Sequence, residues 1–194
     1  MRRAGLGFML VWLCSMWIGC ATQQAVVDQL TQPEADATRQ RAMRRLALAS
    51  AYFEQGQTEV AQSEARAALQ IDARYAQAYN LLGLIHQRNN APQLAEPSFA
   101  QALQWAQPAE LGDIEHNYAW FLCQDQRYAD AQTHFARALA QPQYAQRSKT
   151  WLSQGLCQLR AGEAGQAQQS FEAALAADPR NATAQAQLNA LKKK

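Results

Sequence analysis

A lattice of small residues, returning every 34 to 36 positions, constrains this chain more than any other feature. Ala61, Ala95, Ala131 and Ala167 are spaced by 34, 36 and 36 residues. Twelve residues before each stands another small residue: Ala49, Gly83, Ala119 and Gly155. Seven residues after each stand Ala68, Ala102, Ala138 and Ala174, and four after stand Ala65, Phe99, Phe135 and Phe171. Small residues at helical spacing let two backbones approach closely, and aromatic rings fill the gaps between neighbours. A unit of this size cannot bury its apolar face alone, so three or more must stack. Turn-forming runs split each unit in two: Glu54-Gln55-Gly56-Gln57, Arg88-Asn89-Asn90, Asp125-Gln126-Arg127 and Arg160-Ala161-Gly162-Glu163.

Tyr79, Leu82-Gly83 and Phe99, then Trp151, Gly155, Phe171 and Pro179, resemble the tetratricopeptide signature of an aromatic, Leu-Gly, Tyr, Ala, Phe and Pro. The resemblance implies an all-α fold, a right-handed superhelix of about four helix–turn–helix units. The units fall at about 42–75, 76–109, 112–145 and 148–181, within a repeat domain over 34–194. Residues 182–191 read as a C-terminal capping helix, poor in large apolar side chains. Unit one has Ala65 where the others have Phe and Ala73 in place of the unit-closing Pro, which predicts looser packing. Pro97 falls inside a helix, where it costs about 3 kcal/mol or more, and a bend is expected there.

Residues 1–19 have the parts of a secretory signal: Arg2 and Arg3, an apolar run from Phe8 to Ile18, and Gly19 before Cys20. The apolar run is short for a membrane span. Trp17-Ile18-Gly19-Cys20 resembles a lipoprotein cleavage box, with Trp17 where Leu is usual. That resemblance makes Cys20 the lipidation site, carrying a diacylglycerol thioether and an acylated amine. Several acyl chains anchor stably where one is reversible. An uncleaved N-terminal anchor is the alternative. Ala21 rather than Asp follows Cys20, which resembles sorting to the outer membrane. Residues 20–33 read as a lipidated tether, and Pro33 as the opening of a helix. Of the 18 Lys+Arg two lie in the leader, which holds none of the 16 Asp+Glu, leaving the remainder balanced at 16 against 16. That balance gives no field to attract nucleic acid.

With Cys20 lipidated and Cys14 in the leader, Cys123 and Cys157 remain. They sit 34 residues apart on the first helices of units three and four, so stacking makes them neighbours in an oxidising compartment. A disulfide between them is one reading; two buried free thiols are the other, since their repeat registers differ. No catalytic constellation, phosphate loop, metal-ligand spacing or cofactor motif is found, so the chain reads as a non-enzymatic binding protein. His86, His116 and His134 stand on separate helices. The groove formed by the first helices takes its side chains from Met43, Leu46, Ser50 and Phe53, then Gln77, Asn80, Leu84 and Arg88. Units three and four add His116, Asn117 and Trp120, and Leu152 and Leu156. Such a mixture suits a peptide with apolar anchors, with Phe53 and Trp120 as the principal contacts.

Glu115-His116-Asn117-Tyr118-Ala119-Trp120-Phe121-Leu122-Cys123, followed by Gln124-Asp125-Gln126-Arg127-Tyr128, resembles a segment of the PilW/PilF pilotin family, the type IV pilus biogenesis/stability lipoproteins. Gly155-Leu156-Cys157-Gln158-Leu159-Arg160-Ala161-Gly162 resembles a second, and Arg41 to Ala61 their first repeat. Ala119 stands where that family often has Gly, and some members have more repeats. The resemblance implies a periplasmic-facing, outer-membrane lipoprotein that binds the secretin subunit of the pilus machinery and promotes its localisation or multimerisation. It implies no small-molecule substrate and no cofactor. Two other readings stay open: a lipoprotein regulator of a cell-wall synthase, and a scaffold for outer-membrane protein assembly.

Overall fold

The computed structural model describes the backbone of residues 19–192, and side chains from residue 34 onward except residue 35. The leader up to residue 18 and the Cys20 side chain lie outside the described residues. Nine helices and no strands are found among the described residues: α1 Gly19–Glu54, α2 Thr58–Ile71, α3 Ala76–Arg88, α4 Pro92–Trp105, α5 Leu111–Gln124, α6 Tyr128–Ala140, α7 Arg147–Arg160, α8 Ala164–Ala177 and α9 Ala182–Leu191. None of these helices is long and apolar enough to cross a membrane. The chain divides into two compact units between Gln40 and Arg41. The second unit carries the repeats; the described part of the first is the leading portion of α1.

The helix expected to open at Pro33 starts instead at Gly19, and Pro33 lies inside it. Ala, Gln and Leu make up most of Ala21–Leu30, which holds no Gly or Pro, so helical propensity carries the backbone up to the proline. Helix α4 likewise runs through Pro97 to Trp105.

From Arg41 onward the helices pair as α1/α2, α3/α4, α5/α6 and α7/α8, with α9 closing the array against α8. Every hairpin turns in the same way. Gly56 (φ 78°), Asn90 (54°), Gln126 (62°) and Gly162 (82°) each stand seven residues after the small residue of the first helix, in the left-handed region. Each next residue donates its N–H to a carbonyl five back: Gln57 to Tyr52, Ala91 to His86, Arg127 to Leu122 and Glu163 to Gln158, at 2.8–2.9 Å. This closure caps the first helix and aims the second back along it.

The lattice residues sit at the helix crossings. Ala49, Ala119, Ala61, Ala95, Ala131 and Ala167 have no exposed surface, nor have Phe99, Phe135 and Phe171. A Cβ on Gly83 would lie 2.7 Å from the Phe99 ring, and one on Gly155 2.5 Å from the Phe171 ring. In units two and four the ring of the second helix therefore packs against the bare backbone of its partner, and each buried Phe contributes about 1.5–3 kcal/mol. In unit one Ala65 is itself fully buried, with Tyr52, Phe53 and Leu69 packed about that cluster.

Polar contacts tie unit to unit. Glu96 of α4 accepts from the Tyr118 hydroxyl (3.0 Å) and from Arg127 (2.6 Å). Within unit three, His134 of α6 lies 2.5 Å from the buried Glu115 of α5 and 4.4 Å, ring to ring, from Tyr118. Arg127 holds the Glu96 carboxyl below its ordinary value, while burial and Glu96 push Tyr118 up to about 12. Between units three and four, Gln154 and Gln158 both donate to Gln132, and within unit four Ser170 donates to Gln158.

Cys123 and Cys157 are joined by a disulfide with Cα atoms 5.8 Å apart. Their unequal registers, four and two residues past the small residue, meet because α5 and α7 are staggered. The same two-residue offset recurs at the other end, where His116, three residues before Ala119, bonds Thr150, five before Gly155.

Two predictions follow from this packing. Replacing both cysteines by Ala lowers stability by about 3–4 kcal/mol, the value for a loop of this size. Urea unfolding checks it: reductant shifts the wild-type midpoint and leaves the variant unmoved. Gly155→Ala costs about 1–3 kcal/mol by overpacking. Gly165→Ala, where no atom lies within 4 Å of the added Cβ, is neutral to about 1 kcal/mol stabilising. A Gly155→Ala midpoint equal to wild type would overturn the ring-on-backbone account.

Candidate functional site

Successive first helices α3, α5 and α7 lie against one another, whereas second helices pack mainly on first helices of their own and the following unit. The array therefore closes more tightly along its first helices, which line its concave side. One row on that side lies one residue past each small position: Ser50, Leu84, Trp120 and Leu156, all partly exposed. Leu84 and Trp120 rest on the central core cluster, and Leu156 on the last one. The row presents a shallow apolar ridge whose floor is held by the interior.

Cations flank the ridge. The Arg88 guanidinium lies 3.6 Å from the centre of the Phe53 ring and donates to the Phe53 carbonyl. Arg160 lies 4.9 Å from the centre of the Trp120 ring. Both arginines stand five residues past the small position of their helix and lean back over an aromatic of the preceding unit. In unit three that position is Gln124, which accepts from Gln87 of the preceding unit at 2.7 Å. The fifth position thus closes each joint on the inner face.

Of the residues expected on the groove, Phe53, Leu84, Asn117, Trp120 and Leu156 are partly exposed there and Arg88 is exposed. Asn80 and His116 are not groove surface; they are 6% and 5% exposed. Both stand three residues before the small position, where the next first helix crosses over them. Asn117 donates to Asn80 at 3.2 Å, and His116 lies 2.8 Å from the fully buried Thr150 hydroxyl, which also meets the Tyr144 hydroxyl at 2.8 Å. These groups fix the stagger of neighbouring units. Arg160 was missed from sequence, though Arg88 at the same register position signalled it.

At the far end of the ridge a cavity of about 660 Å³ opens between the start of α7 and the α8–α9 turn. Its lining includes Arg147, Ser148, Lys149, Leu152, Asp178 and Asn181. Asn181 caps α9 by accepting from the Ala184 N–H at 3.0 Å and donates to Ser148 at 3.0 Å. No group of His, Cys, Asp and Glu suited to hold a metal occurs among the described residues. The inner face offers apolar contact, amides and guanidinium edges, the means of holding a peptide.

Burial, then the Lys149 charge, pulls His116 down to about 4. The unfolded value is about 6.5. Below that, the unfolded chain binds a proton that the folded chain refuses. The stability from neutral His116 is therefore complete above pH 6.5 and falls by roughly 3 kcal/mol as pH drops toward 4. His116→Gln flattens that slope in urea titrations between pH 7 and 4. His86, also lowered by burial, leaves a smaller residual slope.

A tetratricopeptide-repeat family model matches residues 45–75 and 76–108. The type IV pilus assembly protein PilF of Pseudomonas aeruginosa is 32% identical over 124 residues, 64% of this chain and 48% of that protein. The match thus spans about half of that relative. A solved structure of Pseudomonas aeruginosa PilF superposes with TM-score 0.74 at 27% identity, covering 80% of this chain and 69% of that one. The structure of PilW, described as a widely conserved type IV pilus biogenesis factor, superposes with TM-score 0.72 at 30% identity, covering 79% and 70%. With 30% identity across more than two thirds of PilW and the same stacked-repeat architecture, the chain belongs to the tetratricopeptide-repeat proteins of the PilF/PilW type.

Proposed function

We propose that this protein is an outer-membrane lipoprotein that acts in type IV pilus biogenesis as a pilotin. It binds the secretin subunit through its first-helix groove and promotes secretin localisation and multimerisation in the outer membrane. The similarity to PilW carries the reading, because it extends over most of both chains and includes the repeat array that forms the groove. The Cys20 box supplies the address: acyl chains hold the protein on the periplasmic face of the outer membrane. The repeats supply the grip, and no chemical step is required of them.

The test compares heat-resistant secretin multimers in outer-membrane fractions from wild type, a deletion strain and Cys20→Ala. The deletion loses multimers and strands secretin monomers in the inner membrane. Cys20→Ala assembles multimers in the wrong membrane if the lipid gives only the address. Unchanged multimers in all three strains would overturn the pilotin reading.

A further inference from the structure

The two cation–aromatic pairs on the inner face have a feature that packing alone does not require. Arg88 and Arg160 are both exposed, and neither has a carboxylate within ion-pair distance among the described residues. Elsewhere in the repeats Arg45 pairs with Glu64 at 2.8 Å and Arg127 with Glu96 at 2.6 Å. On the groove, each guanidinium is instead laid over a ring, Arg88 on Phe53 and Arg160 on Trp120. A stacked guanidinium has lost much of its rotamer freedom; Arg88 gives Nη1 to the Phe53 carbonyl, and the remaining N–H groups of both exposed arginines can receive a carboxylate at little further entropic cost.

The spacing of the pairs is set by the repeat. Arg88 lies on α3 and Arg160 on α7, two first-helix steps apart. Neighbouring packed helices stand roughly 8–10 Å apart, so the two cations are about 16–20 Å apart along the groove. An extended strand covers that in about five or six residues. Between and beside them lie Leu84, Trp120 and Leu156 of the apolar ridge, with exposed Lys149 near its far end. At the corresponding register position unit one has the exposed Glu54 and unit three Gln124, while Asp113, at the start of α5, is held by Gln146 at 3.2 Å.

We infer that the groove takes an extended partner segment with apolar side chains flanked by two carboxylates about six residues apart, one for each stacked arginine. This rests on the reading of the first-helix face as the site that grips a partner, and it names that partner's chemistry. Apolar residues settle on Leu84 and Trp120, and the carboxylates meet the edges of Arg88 and Arg160 in charge-assisted pairs.

The probe is a fluorescein-labelled peptide of sequence Glu-Ser-Leu-Ser-Phe-Ser-Glu, set against its twin with both Glu replaced by Gln. Fluorescence anisotropy with the lipid-free full repeat chain reads binding. The acidic peptide binds about tenfold or more tightly than its amide twin, and salt weakens it. Arg88→Gln and Arg160→Gln each remove most of that preference, while Arg66→Gln on α2 leaves it. Thermal melts showing every variant fully folded at the assay temperature tie the loss to the groove rather than to unfolding. Equal binding of the two peptides, or a preference that survives Arg88→Gln with Arg160→Gln, would overturn the inference. Introducing both substitutions into cells separates it from the pilotin reading. Normal secretin multimers with these variants, but none in the deletion, would discard the acidic-segment inference and keep the pilotin. Charge-dependent binding with multimers intact in the deletion would do the reverse.

Discussion

The fold depends on one contact: the second helix of each unit pressed on the small residue of its own first helix, through a buried Phe ring in units two to four and through Ala65 in unit one. Phe99 on Gly83 and Phe171 on Gly155 leave no room for a Cβ at either glycine. This contact sets how near the two helices come, and hence which faces remain apolar and unburied. Those faces belong to the next unit. Ala76, Ala102 and Ile114, drawn from three helices of two units, form one such joint with no exposed surface. The repeats are therefore not modules strung together but halves of interfaces, and the array is stable only as a stack.

Once the helices approach this closely, the inner face is a consequence. First helices that touch their successors while second helices fan apart curve the stack toward the first helices. Residues three before the small position are then covered and become joints, as Asn80 and His116 do. Residues one after it stay partly open and become surface, as Leu84, Trp120 and Leu156 do. A shift of a few residues along one helix separates a buried hydrogen bond from an open position on the inner face. This is why the groove must be read against the stagger of neighbouring helices rather than from each helix alone.

That also marks what was legible in the sequence. Spacing alone exposed the lattice, because Ala and Phe at fixed offsets reflect steric limits that every unit must obey. It could not show the two-residue stagger between α5 and α7, since stagger follows from the crossing angle and not from any one residue. So Asn80 and His116 read as groove when they are joints. Gln126 shows another limit: its left-handed φ of 62° is imposed by the turn it occupies, where two other units use Gly and one uses Asn. The long helix through Pro33 was hidden for a different reason, since a proline signals a helix start and a helix interior with the same letter.

The covalently joined part of the array also carries Trp120 and Arg160 of the inner face. Units three and four are joined by the Cys123–Cys157 disulfide, the His116–Thr150–Tyr144 bonds and the glutamines meeting at Gln132. Trp120 and Arg160 stand on the same two helices as that disulfide, each three residues from its cysteine. A joint fixed covalently and by buried hydrogen bonds holds the Trp120 ring and the Arg160 guanidinium in register before any partner arrives. Binding then orders only the partner, which lowers its entropic cost. At the Phe53–Arg88 joint of units one and two, no such covalent link is present among the described residues. There the guanidinium itself bridges the helices through ring and carbonyl. The same cation thus serves packing at one end of the groove and, at the other, rests on a joint already closed by other means.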